Sequence, residues 1–103
     1  MRLILMGTGS FAVPTFRALL ASPHHVAGLV TRPVPPARGR LKGPINPVLD
    51  ALASTGIPVL DPADVNDPAT RQQLMQWTPD LLVVCDYGQI LSPDTLRIAS
   101  RGG

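Results

Sequence analysis

The chain has 103 residues, 45% of them hydrophobic, and carries a formal net charge of +2 at pH 7. That length suits one domain with a modest core, and the single cysteine, Cys85, excludes an internal disulfide. No apolar run approaches the roughly 20 residues that a membrane-spanning helix needs, and the N-terminus does not have the form of a signal peptide. We therefore expect a soluble, cytoplasmic domain that does not engage a membrane.

The first predicted elements are two strands with a helix between them. Residues 3–6 are apolar and are followed by glycine, which predicts a short buried strand at residues 2–6. Large apolar side chains then recur at helical spacing and predict a helix from about residue 12 to about residue 22. The helix begins no earlier because Pro14 is tolerated only in a first turn. Residues 26–30 (VAGLV) predict the second strand.

The remaining predicted elements continue this alternation of helix and strand. In chain order they are a helix that includes residues 48–52, a strand at 57–60, a helix from Asp67-Pro68 to 76–77, a strand at 81–85 and a last helical turn from Ser92-Pro93. Asp67 is typical of an N-cap, because its carboxylate can accept from the first free amides of the helix. In the last turn we expect Leu96 and Ile98 to face inward.

Strands that are apolar throughout and alternate with helices indicate a parallel sheet covered on both faces. The predicted fold class is therefore α/β: a Rossmann-like open parallel sheet with helices on both faces and four strands in the order 3-2-1-4.

The glycine-rich turn after the first strand fits the dinucleotide fingerprint G-x-G-x-x-A from Gly7 to Ala12. An NAD site also needs an acidic residue about 20 positions further on, and the first acid of this chain is Asp50. NAD is thereby disfavoured, although Arg32 keeps a 2′-phosphate of NADP possible in principle. The alternatives are a turn that uses glycine for its backbone freedom, or one that binds another anion or a polar substrate.

Positive charge is concentrated in the first half of the chain. Residues 1–49 hold six basic residues and no acidic one, and residues 31–47 hold four of these together with five prolines. Such a segment is suited to phosphate contacts, and its lack of aromatic residues favours a duplex backbone over base stacking. The alternative is a solvated surface loop.

Polar residues also follow the fourth predicted strand, at Asp86 and Tyr87, with Gly88 next to them. The carboxyl edge of an open parallel sheet is where ligands bind, so a site is expected here, with a plain strand-to-helix junction as the alternative. His24 and His25 are adjacent on a predicted surface turn, and no metal-ligand spacing is found.

Four segments occur in an order that is typical of one family. They are MRLILMGTGSFAVPTFRALL, a basic TRPxxPxRGRxK-like segment, GIPVLDP and PDLLVVCDYGQIL. Together they resemble methionyl-tRNA formyltransferase, over the whole chain but over only the first part of the N-terminal domain of that enzyme. The resemblance implies an enzyme of translation initiation that moves a formyl group from 10-formyltetrahydrofolate to the amino group of initiator methionyl-tRNA.

The resemblance also implies roles for three groups of residues. The segment that lines the folate pterin pocket, partly through backbone groups, corresponds to Tyr87, Gly88, Gln89, Ile90 and Leu91. The contacts to the tRNA acceptor stem correspond to Arg38, Arg40 and Lys42. The turn at Gly7 and Thr8 corresponds to the substrate end of the cleft.

The sequence departs from the family pattern at several places. Gly9-Ser10 replaces the usual Pro-Asp or Pro-Glu, Asp86 stands where alanine is usual, and the basic segment aligns only with a one-residue shift. The catalytic Asn, His and Asp of the family lie downstream of the matched segments. We therefore expect residues 1–103 to be the N-terminal part of a formyltransferase domain that holds no catalytic residue and is inactive alone.

Three other functions stay open at this point: a non-catalytic α/β module that binds RNA or another polyanion, an NAD(P)-binding domain, and a formyltransferase for another amine.

The fourth strand is expected to lie at an open, apolar edge of the sheet. Such an edge favours self-association, or a C-terminus docked over it.

Overall fold

The computed structural model describes residues 1–33, 46–52 and 55–100, which form one four-stranded sheet with helices packed on it. In chain order the elements are β1 (Arg2–Met6), α1 (Ala12–Leu20), β2 (His25–Val30), α2 (Pro47–Leu52), β3 (Val59–Leu60), α3 (Pro68–Gln76), β4 (Leu81–Val84) and α4 (Pro93–Leu96). All three strand pairings are parallel and the order is β3-β2-β1-β4. The predicted fold class and strand order are confirmed.

The central strand β1 supplies side chains to both faces of the sheet. Leu3 and Leu5 lie in one buried cluster, whereas Ile4 and Met6 lie in the other. The first cluster includes Phe16 of α1, and the second includes a residue of α3. Alternate side chains of a strand point to opposite faces, so a strand covered on both sides is apolar at every position. This is why the run at 2–6 lacks an alternating polar pattern.

Trp77 ends α3 and lies against the middle of β2. A Cβ at Gly28 would be 2.4 Å from the indole ring, so only glycine leaves room for that ring. Trp77 also fixes the start of β1, because its carbonyl accepts from Nε and Nη2 of Arg2 at 3.0 and 2.8 Å. Trp77 is therefore a packing residue that joins the end of α3 to β1 and β2.

Helix starts follow the capping residues in the sequence. The Asp67 carboxylate accepts from the Ala69 amide at 2.8 Å, and Ser92 caps α4 in the same way through Thr95. Pro14 lies in the first turn of α1, as predicted. Strand β3 is shorter than predicted, with Pro58 just before it. Proline has no N–H, although its carbonyl still accepts from Leu29.

The prediction for the last helical turn is wrong at one position. Leu96 is 37% exposed rather than inward, whereas Thr95 is fully buried. The polar residue takes the inner position because its hydroxyl reaches the side chain of Asn66 at 2.8 Å, which satisfies both groups away from water. Ile98 does pack on the second cluster, as predicted. Within the described residues, no helix has the length and hydropathy needed to cross a membrane.

Candidate functional site

The residues that follow β1, β2 and β4 meet at the carboxyl edge of the sheet. The Gly7 amide donates to the Val30 carbonyl at 3.0 Å, and the Thr8 amide donates to the Asp86 carbonyl at 3.0 Å. The strand order reverses here, since β2 and β3 lie on one side of β1 and β4 lies on the other. In open parallel sheets the ligand crevice lies at this point. The structure thus brings together the predicted segments at 7–8 and 87–91.

Gly7 is required by the packing of this turn. A Cβ at Gly7 would lie 2.6 Å from the Cys85 carbonyl oxygen and 2.6 Å from the Phe16 ring. Neither group can move far, because one is main chain and the other is in the core. The first glycine therefore serves the close approach of β1 and β4.

The amides of the glycine turn are already used within the protein. Gly7 donates to a carbonyl of β2, and Thr8 and Gly9 both donate to the Asp86 carbonyl. The Asp86 carboxylate also lies against Gly9, where an added Cβ would be 1.8 Å from Oδ2. A pyrophosphate at this turn would need free amides and would meet a negative charge. The geometry therefore disfavours the dinucleotide alternative.

The Thr8 hydroxyl lies between the segments that follow β2 and β4. It donates to the Tyr87 carbonyl at 3.0 Å and accepts from the Arg32 amide at 3.2 Å. Thr31 Oγ1 lies 3.4 Å away and itself accepts from Asn46 Nδ2 at 2.7 Å. Thr31 and Asn46 are both buried. This group of polar residues lies directly below the crevice.

Tyr87 turns its side chain into the core rather than into the crevice. The residue is 2% exposed and packs in the second cluster, and its hydroxyl has no hydrogen-bond partner among the described residues. Burial raises the pKa of Tyr87 to about 12, with the Arg32 charge opposing and the Asp64 charge reinforcing the shift. The phenol is therefore neutral at ordinary pH, and only the main chain of Tyr87 faces the edge.

Gln89 and Asn66 hold the segment after β4 against the loop before α3. Gln89 Oε1 accepts from the Val65 amide at 2.8 Å, and its Nε2 donates to the Pro62 carbonyl at 3.1 Å. Asn66 Nδ2 donates to the Ile90 carbonyl at 2.9 Å. The Gln89 amide group is thus bound on both sides by the protein itself. The structure places Gln89 as a support of the predicted folate segment.

Gly88 takes a conformation that suits glycine, with φ +96°. The Arg32 side chain crosses it closely, since an added Cβ would be 2.8 Å from Arg32 Cδ and 3.1 Å from Nη1. A positive group therefore lies along the main chain of the predicted folate segment, at the mouth of the crevice.

Ile90 and Leu91 divide between the surface and the core. Ile90 is 89% exposed, whereas Leu91 is half-buried and packs on the second cluster. The main-chain amides of residues 88–91 donate to no acceptor in the part of the chain that the structure describes. An exposed apolar side chain beside main-chain donors that have no acceptor among the described residues suits a flat heterocycle with polar edges, such as a pterin. The residues present therefore fit the group that the sequence implies.

The predicted tRNA contacts Arg38, Arg40 and Lys42 lie outside the described residues. The residues on both sides of that segment are described. Arg32 precedes it and Asn46 follows it, and Asn46 Nδ2 lies 3.5 Å from the Arg32 carbonyl. Arg32 and Asn46, which flank that segment in the chain, therefore lie together at the carboxyl edge of the sheet.

No group of three or more His, Cys, Asp or Glu side chains able to hold a metal is found among residues 1–33, 46–52 and 55–100. His24 and His25 are exposed, as predicted. Cys85 packs partly buried against the first cluster.

The sequence reasoning missed Thr31 and Asn46. The Oδ1 of Asn46 accepts from the Leu49 amide at 2.9 Å and so caps the start of α2. The signal was present in Asn46-Pro47, since an asparagine before a proline is typical of a helix start. Thr31 gave no comparable signal.

Comparison with known proteins gives one consistent result. No protein-family model matches the chain. Methionyl-tRNA formyltransferase of Rhodopirellula baltica is 47% identical over 107 residues, which covers 100% of this chain and 32% of that protein. The enzymes of the same name from Methylococcus capsulatus and Moorella thermoacetica are 43% and 41% identical, each over 99% of this chain. The chain spans about a third of the length of the curated relatives it matches.

A solved structure shows the same fold. The crystal structure of phosphoribosylglycinamide formyltransferase from Bacillus halodurans matches with a TM-score of 0.65 and 21% identity, over 95% of this chain and 51% of that one. At that identity the likeness establishes the fold alone. The resemblance inferred from the sequence motifs is confirmed by the curated relatives: the chain is homologous, from end to end, to about a third of methionyl-tRNA formyltransferase.

Proposed function

We propose that residues 1–103 are the N-terminal part of the Rossmann-like domain of a methionyl-tRNA formyltransferase. The proposed activity is transfer of a formyl group from 10-formyltetrahydrofolate to the amino group of initiator methionyl-tRNA, in the cytoplasm. The observation that carries this proposal is the 36% to 47% identity, along almost the whole chain, to proteins of that name. The alternative of a different amine has only a fold likeness behind it.

The formyl donor is assigned to the segment after β4. The folate pterin would bind the main chain of Gly88, Ile90 and Leu91, with the Ile90 side chain against its ring. This assignment is supported by the exposed Ile90 side chain and by the amides of residues 88–91, which have no acceptor within the described ranges. Tyr87 and Gln89 belong to the same segment, and their side chains support it from the core and from the loop before α3.

The acceptor is assigned to the other side of the crevice. Gly7 and Thr8 would lie beside the amino group that is formylated, and Arg38, Arg40 and Lys42 would contact the phosphates of the acceptor stem. The position of Arg32 and Asn46 supports this, because both ends of the basic segment lie at the crevice. Phosphate contacts of this kind supply affinity that weakens with salt.

The reaction itself demands two further groups. Attack of the amine on the formyl carbon forms a tetrahedral oxyanion, which needs a hydrogen-bond donor, and the amine proton needs an acceptor. Neither step is assigned to a residue of 1–103. We therefore expect the chain by itself to bind the donor without transferring the formyl group.

The donor assignment is tested by calorimetric titration of the chain with 10-formyltetrahydrofolate, with NAD⁺ and NADP⁺ as matched comparators. We expect saturable binding of the folate and none of the nicotinamide nucleotides. A folded chain, as judged by circular dichroism, that binds no folate would contradict the donor site. Binding of a nicotinamide nucleotide would restore the dinucleotide alternative.

A second candidate function is a module that binds RNA or another polyanion without catalysis. It is favoured by the six basic residues and absence of acids in residues 1–49. The test is the salt dependence of tRNA affinity for the wild type and for a variant with Arg38, Arg40 and Lys42 changed to Gln. Loss of three phosphate contacts should make the negative slope of log K against log salt less steep by about 2 to 3. Arg17→Gln, on the exposed face of α1, is the control.

The two candidate functions are separated by which of the two ligands, folate and tRNA, the chain binds. Folate and tRNA binding together support the formyltransferase. Binding of tRNA without folate supports the module, and salt-independent or absent tRNA binding contradicts the assignment of the basic segment.

We also propose that a second copy pairs along β4. Within the described residues β4 pairs only with β1, and Val84 on it is exposed. An unpaired strand edge of apolar residues favours such pairing. Sedimentation should show a dimer with slow amide exchange along Leu81–Val84. A monomer with fast exchange on this strand would contradict the proposal.

A further inference from the structure

We propose that Thr8, Thr31 and Asn46 form a directional hydrogen-bonded relay that holds the segment after β4 in register with both ends of the basic segment. This makes them positioning residues for the transfer reaction. The purpose of the relay rests on the proposed function, whereas its existence rests only on the contacts described below.

The direction of the relay follows from the number of protons on each group. The Tyr87 carbonyl can only accept, so the Thr8 hydroxyl donates its single proton to it, at 3.0 Å. Thr8 Oγ1 is then an acceptor toward its other two neighbours. These are the Arg32 amide at 3.2 Å and Thr31 Oγ1 at 3.4 Å. The donor of the Thr8–Thr31 pair is therefore Thr31.

Asn46 fixes the other end. Its Oδ1 accepts from the Leu49 amide at 2.9 Å, which identifies the atom facing Thr31 as the donor Nδ2, at 2.7 Å. Thr31 accepts that proton and keeps its own for Thr8. The bonds thus run in one direction, from Asn46 through Thr31 and Thr8 to the Tyr87 carbonyl.

Burial makes this arrangement rigid. Thr31 and Asn46 are buried, so water does not readily replace a lost partner, and each deletion leaves a polar group unsatisfied. The relay connects the start of α2, the end of β2, the turn after β1 and the segment after β4. Two bound reactants must be held within a fraction of an ångström of their reacting distance. The relay sets that distance by joining the acceptor side of the crevice to the donor side.

A double-mutant cycle in chemical denaturation measures the relay directly. The variants are Thr8→Val, which removes the hydroxyl at nearly constant shape, Asn46→Ala and the pair. We expect a coupling of about twofold to tenfold in the unfolding equilibrium constant, although the two side chains share no direct bond. The control cycle uses Ser22→Ala in place of Thr8→Val. The Ser22 hydroxyl donates to the Leu19 carbonyl at the end of α1, away from the relay. That pair should be additive.

Two further readouts separate positioning from stability. Affinity for 10-formyltetrahydrofolate should fall about threefold to tenfold in Asn46→Ala and in Thr8→Val, and Thr8→Ser should restore it to within twofold of wild type. The Arg32 amide, which donates to Thr8 Oγ1, should exchange slowly in the wild type and quickly in Thr8→Val.

The outcomes are distinct. A wild-type chain that binds no folate contradicts the proposed function, and the denaturation cycle still decides the relay. Additive effects of Thr8→Val and Asn46→Ala would overturn it. Should one variant not fold, the Arg32 amide of the wild type decides, since an unprotected rate of exchange there would equally overturn it.

Discussion

The turn at residues 7–9 and the segment at residues 87–91 both follow a parallel strand at the same edge of the sheet, yet they use their main-chain amides differently. The three amides of the turn donate to protein carbonyls. The amides of residues 88–91 donate to no acceptor in the described ranges, and Ile90 beside them is exposed. One region closes the fold, and the other presents a surface.

The difference lies in what holds each backbone. The turn is held by its own main chain and by the lack of space around Gly7. The later segment is held by the side chains of Gln89 and Asn66, and not by its amides at residues 88–91, which have no acceptor among the residues that the structure describes. The amides of residues 88–91, which have no acceptor among the described residues, are therefore a more direct sign of a site than the glycine motif, whose amides at residues 7–9 are paired.

The largest expected effect breaks the turn. Gly7→Ala places a Cβ against the Cys85 carbonyl and the Phe16 ring, and we expect a loss of about 3 kcal/mol or more of unfolding free energy. Gly56→Ala is the control, because Gly56 has φ +75° and open space around it, so it should lose only about 1 kcal/mol. Chemical denaturation measures both. A loss at Gly7 no larger than that at Gly56 would show that the Cys85 carbonyl and the Phe16 ring move enough to admit the Cβ.

The next largest effect on stability is expected at Tyr87, which joins the two regions because its carbonyl accepts from the Thr8 hydroxyl. The pKa of Tyr87 is raised from 10.0 to about 12 by burial, so the native state keeps its proton after the unfolded state has lost it. Stability should therefore fall as pH rises above 10, by up to about 2 to 3 kcal/mol near pH 12, and be unaffected by this group below pH 10. Denaturation across that range measures the fall.

Tyr87→Phe is the matched variant for this prediction. It should remove that part of the alkaline loss and be nearly neutral at pH 7, because the hydroxyl has no partner among the described residues. Tyr87 is the only tyrosine, so near-ultraviolet absorbance of the phenolate follows its titration alone. A midpoint near pH 10 in the folded chain would mean that the hydroxyl reaches solvent.

The fold followed from the sequence because its signals are local and consistent. Apolar strands, the cap at Asp67 and the position of Pro14 each act over a few residues, and they determined seven helix or strand starts to within two residues. Leu96 shows the limit, since its exposure depends on Asn66, which lies 30 positions earlier and binds Thr95. No local pattern carries that information.

For the candidate site, the sequence predicted which residues lie together but not how each side chain is placed. The strand ends indicated that residues 7–8 and 87–91 share one edge of the sheet, because parallel strands bring their carboxyl ends together, and the structure has them there. The roles of Tyr87 and Gln89 depend on which way each side chain turns, and this is decided by a core and a loop distant in sequence. Thr31 and Asn46 were missed for the same reason, since their bonds join three separate segments.

A smaller effect sharpens the comparison within the later segment. Gly88→Ala forces a side chain into φ +96° and against Arg32, and we expect a loss of about 1 to 2 kcal/mol of unfolding free energy. In an Arg32→Ala background the contact with the arginine side chain is absent but the strain at φ +96° remains. Gly88→Ala should therefore still destabilise that background, by a smaller amount. If Arg32→Ala removed the whole loss, the backbone conformation would not be the cause.

The smallest effect on stability falls on Ile90, and it tests the comparison most directly. Ile90→Ser should change the free energy of unfolding by less than about 0.5 kcal/mol, because the side chain is 89% exposed. Affinity for 10-formyltetrahydrofolate should nevertheless fall about tenfold, since the apolar contact with the bound ring is lost. Met75→Ser, at an exposed position of α3, is the control and should leave affinity unchanged. Unchanged affinity in Ile90→Ser, with folding intact, would contradict the placement of the pterin ring against the Ile90 side chain.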